Sequence, residues 1–208
     1  MNRVSGIRHQ VAIAGKVVDV QTSGSLRGAW VEIETGPAVF NELLAIHRIQ
    51  FGDRWPTLAE RLDRTRTSAD GAFQFLDLPG GRYTLKISLP SGGSRYGTAQ
   101  AQAMVVVGAN GKITFETTTI ALPSTTVKGR ITGPGAGPLQ MAEVRIRGSG
   151  ERAFSDAQGE YLLAGLEKGT RTVLVSAQGF QPAAQNVVLN EAGAVQTLNV
   201  ALTRPPPP

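Results

Sequence analysis

Residues 70–87 have the sequence DGAFQFLDLPGGRYTLKI, and this stretch decides the fold. The Asp-Gly pair at 70–71 favours a tight turn, because both residue types tolerate positive φ angles. Apolar and polar side chains then alternate along 73–75, which is the period of a strand with one buried face. Leu-Pro-Gly-Gly at 78–81 interrupts the alternation, which resumes along 83–87. The stretch therefore predicts a central hairpin of two strands, each preceded by a turn.

The same pattern recurs later in the chain, which indicates a duplicated domain. Two further matching segments, 13–17 and 127–131, each contain a glycine followed by a basic residue between apolar ones. Each copy has about seven short alternating runs bounded by Gly, Pro, Asn or Asp. This predicts an all-β fold of two tandem seven-stranded antiparallel sandwiches of immunoglobulin-like form. The equivalent positions are Gly71 and Gly159, Phe73 and Tyr161, Phe75 and Leu163, Leu78 and Leu166, Leu85 and Val173, and Ile87 and Val175.

Aligning the two copies predicts the domain boundaries. The first sandwich is expected over residues 1–123, the second over 124–203, and a proline-rich tail over 204–208. The first copy also carries an insertion, at about 37–66, between its second strand and the Asp-Gly turn. Insertions in one copy of a repeat are where function tends to diverge, since the scaffold itself does not require them.

The insertion has the period of a helix. Apolar and aromatic side chains recur from Phe40 to Phe51 at spacings of three and four residues, which predicts a short amphipathic helix. Arginines and acidic residues are interleaved around it, which predicts a salt-bridged, solvated face. Two interpretations stay open for the apolar face: it packs back onto the first sandwich, or it is presented to a partner subunit. Both can hold, since one face can pack inward while its edge meets a neighbour. The candidate partner-binding residues are Phe40, Leu43, Leu44, His47, Phe51, Trp55, Arg54 and Arg61.

Three features of the repeat together resemble a known family: the Gly-basic-apolar first strand, the Asp/Gln-Gly-x-Phe/Tyr-x-Phe/Leu segment, and Leu-x-x-Gly-x-Tyr-x-Leu at 78–85. Both copies resemble the carboxypeptidase regulatory-like domain. The resemblance implies a prealbumin-like (transthyretin-like) seven-stranded sandwich that serves as a stalk, an adhesive unit, a carbohydrate-associated accessory or an assembly scaffold. The catalytic zinc domain of the carboxypeptidases is a separate domain, to which this sequence bears no resemblance.

The first copy has a second resemblance. With its inserted helix and the DRTRT run at 63–67, it resembles accessory proteins of phage-tail-like contractile injection particles. That resemblance implies a protein that binds neighbouring subunits of a particle. Residues 1–10 lack the apolar core of a signal peptide, which predicts a cytoplasmic protein, or one that leaves the cell inside a particle.

Composition bounds the chemistry. The chain has no cysteine, which excludes disulfides and thiolate metal sites, and its two histidines, His9 and His47, lack metal-ligand spacing. No serine stands in a nucleophile motif, and Asp70 at the central turn is expected to cap that turn in preference to holding calcium. A net charge of +5 on 208 residues is spread thinly. We therefore expect no enzyme activity, no cofactor, no nucleic-acid partner and no membrane insertion.

The sequence thus predicts a protein that works by contact. The leading hypothesis is a non-enzymatic structural or adaptor subunit, held in a larger assembly through the insertion, exposed strand edges and the proline tail. The assembly would consist of protein partners, with a homo-oligomer as one form. The alternative is an adhesive or carbohydrate-associated binding module that takes a glycan.

Overall fold

The structure is a computed structural model that describes residues 9–58, 61–115 and 117–206. Its contacts divide the chain into two compact units. The first takes in residues up to 19, 23–91 and 98–122. The second takes in residues from 123 onward together with two short earlier segments, Val20–Thr22 and Gly92–Gly97.

The first unit is a sandwich of two sheets. β1 lies in the smaller sheet, where it pairs antiparallel with β4 and parallel with β8. The larger sheet has the order β3-β2-β5-β6-β7 and is antiparallel throughout. The strands are β1 Val11–Asp19, β2 Trp30–Thr35, β3 Arg64–Arg66, β4 Ala72–Leu76, β5 Gly81–Ser88, β6 Ala99–Val107, β7 Ile113–Thr114 and β8 Thr117–Leu122. The helices are α1 Ala38–Phe51 and a 3-10 segment, Gly52–Thr57. A further 3-10 segment, Pro90–Arg95, begins in this unit, and its residues from Gly92 onward belong to the second.

The second unit repeats this plan. One sheet has the order β11-β10-β13-β14, and the other joins β12 to β9, which also pairs in parallel with β15 and β16. A 3-10 segment, Pro134–Ala136, follows the first strand. The strands are β9 Thr126–Thr132, β10 Glu143–Ile146, β11 Arg152–Phe154, β12 Glu160–Ala164, β13 Gly169–Ser176, β14 Ala183–Leu189, β15 Val195–Thr197 and β16 Val200–Ala201. The core is built from side chains of both sheets: Val127, Ile131, Val144, Tyr161, Leu163, Leu166, Val173 and Leu189.

The expected all-β architecture of two tandem sandwiches, the first with a helical insertion, is confirmed. The described residues differ from the expectation in two details. Each unit has eight strands, because β7 adds two residues at an edge and because β15 and β16 are two parts of one broken strand along β9. Each smaller sheet also contains a parallel pairing, since the first and last strands of a copy run in the same direction.

The prediction of a central hairpin, by contrast, is wrong. β4 pairs with β1, whereas β5 pairs with β2 and β6 in the opposite sheet, so the turn at 78–81 crosses from one sheet to the other. Leu78 is 4% exposed and fills the space between the sheets at this crossing. The Tyr83 hydroxyl donates to the Pro79 carbonyl at 2.7 Å, which holds the crossing closed, and burial raises the pKa of Tyr83 to about 12. Alternation predicts which residues face inward, but it does not predict the strand partner.

The Asp-Gly turn is fixed by its contact with the first strand. The amide of Val17 donates to the Gly71 carbonyl at 2.9 Å, and the amide of Ile131 donates to the Gly159 carbonyl at 2.8 Å. A Cβ at Gly71, where φ is +78°, would lie 2.6 Å from the Val17 carbonyl oxygen. Only glycine therefore fits there without displacing the turn.

Asp70 caps the turn, as predicted. Its Oδ1 accepts hydrogen bonds from the Ser68 hydroxyl at 2.6 Å and from the Ala72 amide at 3.2 Å. These bonds stabilise the carboxylate, and they lower the pKa of Asp70. Among the described residues, no group of three or more His, Asp or Glu side chains is placed to hold a metal ion.

The first strand of each copy contains the glycine of the Gly-basic motif for a spatial reason. A Cβ at Gly15 would lie 2.2 Å from the Thr118 carbonyl oxygen, and a Cβ at Gly129 would lie 2.1 Å from the Leu198 carbonyl oxygen. Contacts this short do not occur in proteins. The last strand of each copy can therefore approach the first strand only because the side chain is missing.

The segment Gly92–Gly97 is held in the second unit by a small polar cluster. The Ser94 hydroxyl donates to the Glu167 carboxylate at 2.5 Å, and Arg95 Nε donates to it at 3.0 Å. Arg95 Nη2 also lies 3.4 Å from the Glu151 carboxylate. The hydroxyl bond, followed by the guanidinium bond, lowers the pKa of Glu167.

We expect Gly71→Ala to lower the free energy of unfolding of the first unit by about 3 kcal/mol. The alanine would have to adopt a positive φ, which is strained, and its Cβ would also clash with the Val17 carbonyl oxygen. Gly28→Ala is the matched control, because Gly28 also has a φ of +76° but has open space around it. The control should cost about 1 kcal/mol. Urea unfolding followed by tryptophan fluorescence measures both, since Trp30 and Trp55 lie in the first unit. Equal losses in the two variants would contradict the clash.

Acid should loosen the Gly92–Gly97 segment. A carboxylate whose folded pKa is lowered contributes stability above its unfolded pKa, and that stability is lost as the pH falls through the folded pKa. Hydrogen-exchange protection of the Lys168 amide, which donates to Ser94 Oγ, should therefore decline between about pH 5 and pH 3. Glu167→Gln should give lower protection with no decline over this range. A decline that persists in Glu167→Gln would assign the effect to other carboxylates.

Candidate protein-interaction site

The insertion is anchored to the first sandwich by Phe40 and Leu44, which are 1% and 6% exposed. The Phe40 ring meets the Tyr83 ring edge to face, with 5.4 Å between their centroids. Gly36 lies just before α1, and a Cβ there would lie 2.7 Å from the Phe40 ring. The missing side chain at Gly36 thus leaves room for Phe40, the first aromatic residue of α1, to enter the core.

The C-terminal part of the insertion is an aromatic cluster. α1 ends at Gly52, whose φ is +51°, and the 3-10 helix that follows brings Trp55 back beneath the last turn of α1. The His47 ring stacks on the Phe51 ring with 6.0 Å between centroids, and each lies 6.3 Å from the Trp55 ring. Trp55 is 7% exposed, while His47 and Phe51 are half-buried.

A buried ion pair closes the insertion where it returns to the sheet. Arg61 donates two hydrogen bonds, at 2.8 and 2.7 Å, to the carboxylate of Asp63, whose side chain is 4% exposed. Arg48 of α1 approaches the same carboxylate at 3.8 Å, and the Arg61 guanidinium carbon lies 4.9 Å from the centroid of the Trp55 ring. One carboxylate therefore joins the helix to the strand that follows the insertion.

Trp30 lies on the outer face of the larger sheet, as its alternation with buried Val31 predicts. Its cross-strand neighbours on β3 cover its ring: the guanidinium carbons of Arg64 and Arg66 lie 4.1 and 4.0 Å from the ring centroid. Arg64 also approaches Glu32 at 4.0 Å. The predicted salt-bridged character of the insertion is thus present, and three of its arginines, Arg61, Arg64 and Arg66, also make cation–π contacts.

A cleft of about 960 Å³ lies between the insertion and strands β3 and β4. Of the described residues, both tryptophans and three arginines line it, together with one acidic residue, Asp77. Asp77 is itself occupied: it accepts from the Gln10 amide at 2.8 Å and pairs with His9 at 2.5 Å, and these two contacts lower its pKa. The aromatic lining consists of Trp30, Phe40, His47, Phe51, Trp55 and Phe75, and the arginines are Arg61, Arg64 and Arg66.

The outer face of α1 is an exposed apolar stripe, defined by Val39, Leu43, Ile46 and Ile49. These side chains are 65%, 39%, 61% and 83% exposed, respectively. Val39, Leu43 and Ile46 are spaced at i, i+4 and i+7, so they lie in one row along the helix. The helix is therefore apolar on two faces, one buried and one in solvent.

The eight candidate residues fall into three groups. Phe40, Leu44 and Trp55 pack inward, which corresponds to the first of the two interpretations. Leu43 belongs to the apolar stripe and Arg54 is exposed, which corresponds to the second. The half-buried residues that line the cleft are His47, Phe51 and Arg61.

The sequence analysis missed Val39, Ile46, Ile49, Arg64 and Arg66 as candidate contact residues. A signal existed for the isoleucines, because a helix over 38–51 carries more apolar side chains than one buried face can hold. No local sequence pattern indicated that Arg64 and Arg66 on β3 would be contact residues. Their position over Trp30 depends on which residues are paired between β2 and β3.

The two histidines and the serine of the Gly92–Gly97 segment make contacts of other kinds. His9 pairs with Asp77 at the rim of the cleft, and His47 stacks on Phe51 in the aromatic cluster. Ser94, in the glycine-rich loop, is bonded to Glu167. In the portion of the chain described, no helix combines the length and the apolar character needed to cross a bilayer.

A protein-family model matches most of the second unit. Residues 126–203 match the carboxypeptidase regulatory-like domain. The predicted resemblance of the second copy is therefore confirmed, while that of the first copy stays a prediction. The sequence has no match among the curated proteins.

Solved structures give more distant likenesses. The shaft pilin SpaA of Lactobacillus rhamnosus GG is 12% identical, with a TM-score of 0.42 over 95% of this chain and 99% of that one. The minor pilin of Streptococcus agalactiae is 13% identical, with a TM-score of 0.34 over 95% and 98%. A type II cohesin–X-dockerin complex of Acetivibrio cellulolyticus is 19% identical, with a TM-score of 0.32, and the match covers 38% of this chain and 57% of that one. Likenesses at this level carry no statement about what this chain binds.

We expect Asp63→Asn to lower the free energy of unfolding of the first unit by about 3 kcal/mol, because it removes the carboxylate to which the largely buried Arg61 guanidinium donates two hydrogen bonds. Asp53→Asn is the matched control, since Asp53 is an exposed aspartate of the same insertion. The control should change stability by less than about 0.5 kcal/mol. Urea unfolding read by tryptophan fluorescence compares them, and similar midpoints for both variants would show that the ion pair contributes little.

Proposed function

We propose that the chain is a non-enzymatic structural or adaptor subunit that acts through protein–protein contacts in a larger assembly. The observation that carries the proposal is the apolar stripe of α1 on a helix that is anchored from behind. Ile46 and Ile49 are 61% and 83% exposed, although Leu44 beside them is almost fully buried. The occupant of the stripe is an apolar surface on a neighbouring protein subunit.

Anchoring distinguishes this helix from a loosely attached surface element. Phe40 packs on Tyr83, and Asp63 bonds Arg61 and approaches Arg48, so both ends of the helix are tied to the sandwich. A rigid helix presents its exposed side chains without a large entropic cost of ordering on binding. Contiguous apolar surface with a charged surround is typical of contact sites between proteins.

The matched family supports the non-enzymatic part of the proposal, since it is a regulatory-like domain and not a peptidase domain. The narrower hypothesis, a subunit of a contractile injection particle, keeps only its basis in the sequence, because the matches named above include no protein of such a particle. Under this narrower hypothesis, the chain is cytoplasmic or leaves the cell inside a particle.

The glycan-binding alternative gains no support from the cleft. Sugars stack on open aromatic faces, whereas Trp30 is covered by two guanidinium groups and Trp55 is 7% exposed. A homo-oligomer is one form that the proposed assembly can take.

The stripe is tested with the double variant Ile46→Ser, Ile49→Ser in the full chain. We expect the apparent dissociation constant of the assembly to rise at least about tenfold, because each isoleucine loses about 1.5–3 kcal/mol of burial. Size-exclusion chromatography with light scattering measures this, on the purified chain over a concentration series and in extracts of the producing organism.

Val188→Ser is the matched control, since Val188 is a 50% exposed aliphatic residue on β14 of the second unit. It should leave the assembly unchanged. A deletion of residues 38–64 gives the stronger test, with far-UV circular dichroism to check that both sandwiches still fold. An assembly that survives both the double variant and the deletion would remove the insertion as the contact element.

A further inference from the structure

The cleft contains charged and aromatic groups that the apolar stripe of α1 does not use. Arg66 is exposed on β3, and among the described residues no carboxylate lies within ion-pair distance of it. Its neighbour Arg64 reaches Glu32 only at 4.0 Å, with the guanidinium also near the Leu58 carbonyl at 3.2 Å. Two guanidinium carbons therefore lie 4.1 and 4.0 Å from the centroid of one indole ring, and only Arg64 approaches a described carboxylate.

This arrangement is positive and anion-deficient. Like charges repel, and the π face of Trp30 offsets that repulsion only in part. Arg61, the third arginine of the cleft, is already neutralised by Asp63. Among the described residues that line the cleft, the one carboxylate, Asp77, is held by Gln10 and His9. An anion bound beside Arg66 would thus find a donor that no described carboxylate occupies.

The aromatic cluster supplies the second half of the surface. The half-buried edges of His47 and Phe51 line the same cleft as Arg66, with Trp55 behind them. Such an edge accepts an apolar or aromatic side chain, but it offers no open ring face on which a sugar could stack.

We infer that the cleft binds an extended peptide segment of a partner protein that carries a carboxylate a few residues from a leucine or aromatic side chain. The carboxylate accepts two hydrogen bonds from Arg66, with Arg64 beside it, and the apolar side chain lies against Phe51 and His47. The inference rests on the proposed function, because it names the partner chemistry of the same insertion. It concerns the cleft side of α1, which shares Leu43 with the apolar stripe but neither Ile46 nor Ile49.

The test uses a phage-displayed library of random twelve-residue peptides, selected on the immobilised full chain. We expect the enriched peptides to contain Asp or Glu within a few residues of Leu, Phe or Tyr. A synthetic copy of the most enriched peptide should change the fluorescence of the chain, because both of its tryptophans line the cleft. Its affinity should fall as NaCl is raised.

Arg66→Gln should weaken that synthetic peptide about tenfold, because it removes a charge-assisted pair of hydrogen bonds. Arg152→Gln, at an exposed strand arginine of the second unit, is the matched control and should leave the affinity unchanged. The urea midpoint of Arg66→Gln is measured alongside, and Arg66→Lys provides a second variant that keeps the charge but loses the bidentate geometry.

Selection of peptides without carboxylates, no selection at all, or equal binding by Arg66→Gln at an unchanged urea midpoint would each overturn the inference. So would tighter binding of a heparin hexasaccharide than of the best acidic peptide, since it would assign the cleft to an acidic glycan. The Ile46→Ser, Ile49→Ser variant should still bind the peptide. Loss of assembly in that variant and loss of peptide binding in Arg66→Gln are therefore separate results, and either proposal can fail alone.

Discussion

The last strand of each copy passes so close to the first that only a glycine backbone fits between them. At Gly15 and Gly129 an added Cβ would lie 2.2 and 2.1 Å from the opposing carbonyl oxygen. This close approach allows the parallel pairing of β1 with β8 and of β9 with β15 and β16. The pairing completes the smaller sheet of each sandwich, against which the larger sheet buries its apolar face.

The first unit then carries an element that the second lacks. Its insertion leaves β2 after Thr35 and returns as β3 at Arg64, so it starts and ends on neighbouring strands of the same sheet. Phe40 buries its ring against Tyr83 of the sandwich, Trp55 is buried within the aromatic cluster of the insertion, and the Arg61–Asp63 pair fixes the return. Packing inward and facing outward are therefore not alternatives for α1, since one of its apolar faces is buried and the other is exposed.

Much of this could be predicted from the sequence, and the failures have definite causes. Alternation at 73–75 and 83–87 gave the strands, but it could not show that they belong to different sheets, because pairing is settled by distant strands. The helical spacing from Phe40 predicted the buried face of α1. It did not reveal the exposed apolar stripe, because that stripe is a second row of apolar side chains on the same helix. The contact of Arg66 with Trp30 depends on the register between β2 and β3, which no local pattern contains.

The placement of the insertion has a consequence for how such domains diversify. Because its two ends lie on adjacent strands, lengthening or exchanging it changes the chain entropy of closing the loop by only about 0.6 kcal/mol per doubling of length. Segments of other sizes and chemistries could be grafted between β2 and β3 without altering the glycine contact that holds the sandwich. A duplicated scaffold of this kind can therefore keep one copy as plain architecture and vary the other copy freely at a single junction.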